Sequence, residues 1–242
     1  MGLGWLLTGY GAALVVLGML AAMVRGPGST STTPILVLAY AQVVFIAVLV
    51  PSWLVAWRPQ DDVRRGVVLF YRSCQLLLAG LAAELVASIW AGAEGWFEAL
   101  ILQAVLVSFT LTAAGVSVLV WAVVRKRAPA QLLATTILLA AAAAPLLANP
   151  VIRAVSSDAR GHAVDVTSYI SPVVVTSYAV GVDFYRGPRM YDWSVAGSYR
   201  FSVPHWPTAC AAYLIVGGAL ITAFRRFLPA QASASDPVPP VS

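Results

Sequence analysis

Glu84 stands in the middle of an apolar run, LAGLAAELVASIW (78–90), and no other acid lies well inside such a run in this chain. A carboxyl group near the centre of a bilayer costs about 2.5 kcal/mol or more, so it must face protein or water and find a hydrogen-bond partner. Gln42, Gln103, Ser108, Thr110 and Tyr40, on neighbouring apolar runs, are the candidate partners. Two kinds of chemistry suit the group. Glu84, Gln42 and Gln103 could line a translocation path or form a proton-sensitive site, or Glu84 could be a neutral acid hydrogen-bonded between helices for structural reasons.

A second concentration of chemistry lies in AWRPQDDVRRGVVLFYRSCQ (56–75), although only 10% of the residues are charged. Arg58, Asp61, Asp62, Arg64, Arg65 and Arg72 surround the apolar stretch Val67–Phe70. An apolar anchor such as Phe70 with a charged rim is the anatomy of a docking surface for a soluble partner. The competing reading is that the arginines anchor helix ends to anionic lipid and Val67–Tyr71 begins the next helix. Two histidines, His162 and His205, lie far apart and show no HxxxH or HExxH spacing, so they make a poor metal site. Cys74 and Cys210 read as small buried hydrophobes rather than a disulfide or ligand pair. The chain has no phosphate-binding G-x-x-x-x-G-K-[ST] loop, no G-x-S-x-G elbow and no acid pair within an apolar run, which argues against an enzyme. An intramembrane enzyme built on Glu84 alone is the weakest of the readings.

The elements that must position these residues are membrane helices. Of 242 residues 60% are hydrophobic, and the mean hydropathy is +0.83. Six runs approach or exceed the length that crosses a ~30 Å hydrocarbon core: 4–23, 35–57, 74–90, 97–124, 130–149 and 207–227. Continuous runs of this kind form helices, which satisfy their own backbone, rather than barrel strands. A kink is expected near Pro51 in the second run and a break at Pro145 in the fifth.

Basic residues orient the chain. Nine of the fifteen lie on one side: Arg58, Arg64, Arg65 and Arg72; Arg125, Lys126 and Arg127; Arg225 and Arg226. Both termini and the 58–72 loop are therefore expected in the cytoplasm, and residues 150–206 outside. That outer segment carries ISPVVVTSYAVGVDFY (170–185), too short and too polar to span, which suits a re-entrant or interfacial element. Trp193, Trp206, Tyr185, Tyr191 and Tyr199 suit an interfacial aromatic belt. The tail 229–242 is rich in Pro, Ala and Ser and reads as disordered. The net charge of +5 needs no partner beyond anionic lipid and does not point to nucleic acid. The expected architecture is an all-α, polytopic domain over 1–228 with six transmembrane helices.

From residue 35 to about 228 the order of motifs resembles the permease subunit of type-2 ATP-binding-cassette exporters. TPILVLAYAQVVFIAVLVPSWLVAW is similar to that family's second span. RPQDDVRRGVVLFYRSCQLLLAGLAA falls where the family has its coupling segment and the entry to span three. AAGVSVLVWAVVRKRAPAQLLATTILLAAAAAPLLANP is similar to its passage from span four into span five, and ISPVVVTSY with VPHWPTACAAYLIVGGALITAFRRF to its Ser-Pro element and last span. The resemblance implies a permease half in the cell's inner (plasma) membrane, paired with a second half, the same or different, and coupled to a separate ATPase that binds ATP and magnesium. The permease chain itself would need no cofactor. Arg58, Asp61, Asp62, Arg64, Arg65 and Phe70 would then contact the ATPase. In place of the family's Gly-Thr-Leu-Glu-type stretch the chain has only Asp61 and Asp62 as acids, and the first run begins without an amphipathic helix before it. Both features fit the alternative, a non-transporting accessory subunit of a larger membrane complex.

Overall fold

In Thr33–Val55 (α1) the residues at helical spacing Ile35, Leu38, Ala39, Gln42, Val43, Ile46, Ala47 and Val50 are buried, while Val37, Val44 and Val48 are exposed. A helix that is apolar on both faces yet buries only one needs a second apolar medium for the other, and a bilayer supplies it. The computed structural model describes residues 33–55, 78, 80–86, 96–185, 202 and 204–224. Among them it is all-helical: α1, a helical segment at 80–86, α2 (Trp96–Val124), α3 (Arg127–Ala142), α4 (Ala144–Leu147), α5 (Asn149–Ala154), α6 (Ser157–Ile170), α7 (Pro172–Ala179) and α8 (Trp206–Phe224). Three stretches are long and apolar enough to cross a membrane: Ile35–Ser52, Trp96–Val124 and Trp206–Ala223. A fourth is added if α3 and the short helices after it, bent by 77°, count as one span. The first apolar run, most of the third, the 58–72 loop and both termini lie outside the described residues.

Polarity is distributed inside out. Gln42, Glu84, Gln103, Ser108 and Ser117 are buried, whereas Val107, Leu132, Ile137 and Ile215 are exposed. Water would reject that arrangement, but hydrocarbon favours it, because a polar atom in lipid has no partner.

Helix α2 is the centre. It packs on α1, α3, α7 and most extensively on α8. The α2–α8 approach depends on two facing glycines. A methyl at Gly115 would come within 2.8 Å of the Gly217 carbonyl oxygen, and one at Gly217 within 2.6 Å of the Leu111 carbonyl carbon. Close backbone approach of this kind is how membrane helices gain contact without a hydrophobic drive between them. It also lets Thr112 Oγ1 donate across to the Tyr213 carbonyl at 2.7 Å. Phe109 and Tyr213 meet edge to face beside it, with centroids 5.9 Å apart.

Proline sets the interruptions. Helix α1 runs unbroken through Pro51 to Val55. The weakened turn is braced by Ser52 Oγ, which donates to the Val48 carbonyl at 2.6 Å and accepts from Gln131 Nε2 of α3 at 2.7 Å. At the other end of α3 the helix does break, at Ala143, and Pro145 and Pro150 each stand in the first turn of the short helix that follows, where their missing N–H costs nothing. The cytoplasmic-side turn of the sequence reading is a two-residue link, with Arg125 at φ 55 and Arg125 and Lys126 exposed.

The 170–185 stretch is a broken helix pair. Ser171 is extended between α6 and α7, as the residue before a proline prefers. The end of α7 is closed by Gly181 at φ 75, with Val182 N–H bonding the Ser177 carbonyl and Gly181 N–H the Tyr178 carbonyl, a Schellman cap. Beyond it Tyr178 donates to Asp183 Oδ1 at 2.7 Å, and Tyr185, fully buried, shares a hydrogen bond with Ser168 at 2.9 Å. Burial first, then the bond to Asp183 and its charge, hold the Tyr178 phenol above its ordinary range, so it remains the donor.

Gly217→Ala should separate α2 from α8 and cost about 1–3 kcal/mol, the usual range for overpacking. A methyl at neighbouring Gly218 meets nothing within 4 Å. Thermal unfolding in detergent should therefore fall for Gly217→Ala and stay at the wild-type value for Gly218→Ala.

Candidate functional site

Three helices meet at Glu84. Gln42 comes from the middle of α1, Glu84 from the 80–86 segment and Gln103 from the second turn of α2. Gln42 Nε2 donates to Glu84 Oε1 at 2.7 Å, Gln103 Nε2 donates to Glu84 Oε2 at 3.0 Å, and the same Gln103 nitrogen donates to Gln42 Oε1 at 3.1 Å. The three bonds close a ring. Glu84 is 0% exposed, Gln42 1% and Gln103 7%.

Local sequence builds the ring. Gly80 stands one turn before Glu84 on the same helix face, and the Gln42 amide lies directly on its Cα. Any Cβ there would collide with that amide. Leu38, Ala39 and Val43 on α1 and Leu102 and Leu106 on α2 are buried around the ring and exclude solvent. One polar atom is left over: Gln103 Oε1 is buried and has no hydrogen-bond partner.

Of the five partners named from the sequence, Gln42 and Gln103 reach Glu84. Ser108 and Thr110 return their hydroxyls to the Ala104 and Leu106 carbonyls of their own helix. Tyr40 turns instead to Ser177 Oγ on α7, at 2.5 Å. The coupling residues Arg58, Asp61, Asp62, Arg64, Arg65 and Phe70, and also Cys74, lie outside the described residues. His162 is exposed on α6, and His205 is exposed just before α8, where its N–H bonds Tyr169 Oη at 3.3 Å. Among the described residues no three His, Cys, Asp or Glu side chains converge on a metal position.

A second polar arrangement was not legible in advance. The broken turn at Ala143 frees the Ala142 carbonyl, because Leu146 N–H bonds Ala143 instead. Ser171 Oγ supplies the missing donor at 2.8 Å and also accepts from Val174 N–H at the start of α7. Across the Ser171–Pro172 break the Tyr169 and Ile170 carbonyls lose their helical donors. Tyr213 Oη, reaching over from α8, donates to them at 2.9 and 3.4 Å. Together with Tyr40, these hydroxyls tie the α6–α7 break to α1, α3 and α8. The sequence signals were the Ser-Pro dipeptide and a tyrosine inside an otherwise apolar final span. What they would bond could not be read from spacing, because the partners lie 29 and 44 positions away.

In comparisons with protein-family models, with curated proteins and with solved structures, nothing matches this chain.

Tyr213→Phe removes one hydroxyl and leaves two buried carbonyls unpaired, so stability should fall by about 1–3 kcal/mol. Glu84→Ala, which strands the amide donors of two helices and opens a cavity, should cost more than Tyr213→Phe in the same detergent melt.

Proposed function

We propose that the chain is the permease half of an ATP-binding-cassette exporter in the cell's inner (plasma) membrane, driven by a separate cytoplasmic ATPase subunit that binds ATP and magnesium. The observation that carries the reading is the broken helix pair between α3 and α8. Interrupted helices within an apolar bundle are tolerated where protein covers them or a pathway runs beside them, and transporters use them to shape such pathways. Here α7, with Val174, Val175, Thr176 and Ser177 buried, enters the bundle and turns back before the final span. Its position matches the Ser-Pro element of the resembled family.

One half cannot enclose a path, so the path forms where two halves meet, and the second half is this chain again or a different permease. Closure of the ATPases on ATP would push on Arg58, Asp61, Asp62, Arg64, Arg65 and Phe70. That push would pass into α1 and the third apolar run, which Gln42, Glu84 and Gln103 join to α2 as one body. Rigid-body rocking of that unit against α7 and α8 is the motion that would open the path outward.

A second reading, a non-transporting accessory subunit of a larger membrane complex, is favoured by the closure of the polar ring. Glu84 and Gln42 spend their hydrogen bonds on each other and Gln103, and present no surface to a cargo.

Mild-detergent purification of the tagged chain from its native cell, with mass spectrometry of what accompanies it, separates the two. A co-purifying ATPase with a phosphate-binding loop, lost or uncoupled in the double variant Arg64→Glu, Phe70→Ala, is the expected result for the permease. A membrane complex without an ATPase, or normal association and ATP hydrolysis with that double variant, overturns it.

A further inference from the structure

We propose that the ring of Gln42, Glu84 and Gln103 is a one-proton binding site, in which taking up the proton turns the Gln103 amide over and releases the direct tie between α1 and α2. The proposal stands whatever the chain's cargo or partner.

The hydrogen-bond inventory carries it. As drawn, both carboxylate oxygens accept, from Gln42 Nε2 at 2.7 Å and from Gln103 Nε2 at 3.0 Å, which is the pattern an ionised carboxylate requires. Gln103 spends its nitrogen on Glu84 and on Gln42, while its own oxygen is buried without a partner. An orphaned acceptor beside a titratable oxygen is an unfilled place for an O–H donor. The oxygen and nitrogen of a glutamine amide are nearly the same size, so turning the group over needs no new space.

The step balances simply. One proton adds to Glu84 Oε2 and neutralises the carboxylate. The Gln103 amide rotates by half a turn about its Cγ–Cδ bond, and the new O–H donates to Gln103 Oε1. No covalent bond other than the new O–H forms, and none breaks. The Gln42 Nε2 to Glu84 Oε1 bond persists, but Gln103 now turns its oxygen toward Gln42 Oε1, so that bond is lost. Each of α1 and α2 stays bonded to Glu84, and the link that joined them directly is gone.

Other titratable groups on the described elements around the ring are few. Helix α1 brings Tyr40, which is engaged with Ser177, α7 brings Tyr178, engaged with Asp183, and α2 brings Glu98 in its first turn. Glu98 Oε2 is also buried without a partner, so it must be separated from Glu84 in any titration.

The chain has three glutamates, Glu84, Glu94 and Glu98. In the full-length Glu94→Gln, Glu98→Gln variant, ¹³C-glutamate labelling therefore marks Glu84 without touching the ring. Infrared difference spectra of that protein in detergent, titrated from alkaline to acid pH, should show an isotope-shifted protonated-carboxyl band that grows on acidification. Adding Glu84→Gln should abolish it. Adding Gln103→Met, which removes the acceptor for the proton, should move its midpoint to lower pH by about one unit, a tenfold weaker hold. A band of constant intensity, or none at any pH, overturns the proton site. A titrating band with the same midpoint in Gln103→Met overturns the amide switch.

Discussion

A backbone carbonyl that loses its helical donor inside hydrocarbon has no water to turn to, and the fold of this chain is organised around that constraint. Three interruptions, near Ala143, Ala148 and Ser171, leave carbonyls to be satisfied. The donors that reach them are hydroxyls placed on other elements: Ser171 for Ala142, and Tyr213 for Tyr169 and Ile170. Each such bond fixes where one helix sits against another. The bends in this bundle and its tertiary contacts are therefore the same interactions seen from two sides.

The same physics explains the choice of packing residues. Lipid tails are as apolar as leucine, so helices gain little from covering leucine with leucine, and they associate where small residues admit the backbone. Gly115 against Gly217 brings α2 and α8 close enough for Thr112 to reach a main-chain carbonyl on α8. Gly80 does the equivalent service for a side chain, giving the Gln42 amide a seat beside Glu84. Small residues and buried polar groups thus act as pairs: the first creates the approach, the second fixes its register. Outside these seams the surfaces are valine, leucine and isoleucine facing outward.

Much of this was legible in the linear pattern, and the part that was not has a clear boundary. The helices α1, α2 and α8 follow from apolar runs of spanning length, and the break before Pro145 from its missing N–H. Pro51, by contrast, was expected to kink its helix, yet α1 continues through it with Ser52 and Gln131 bracing the turn. The brace comes from a residue 79 positions away, beyond the reach of any local rule. The fifth run ends earlier than its apolar length implies, because α3 stops at Ala142 and the remaining apolar residues belong to short helices bent away from it.

The sequence by itself determined that Glu84 must be partnered, that helices must carry it, and that a polar Ser-Pro stretch before the last span could not cross as one helix. These conclusions rest on the cost of charge and bare backbone in lipid, which depends on residue type and run length alone. Only the tertiary structure decided which partners Glu84 takes, that Tyr40 serves Ser177 instead, and that Tyr213 caps a broken helix on another element. Five polar side chains were equally available in the sequence. The choice among them was made by the rotation and depth of each helix, which glycine contacts and helix breaks distant in the chain set together.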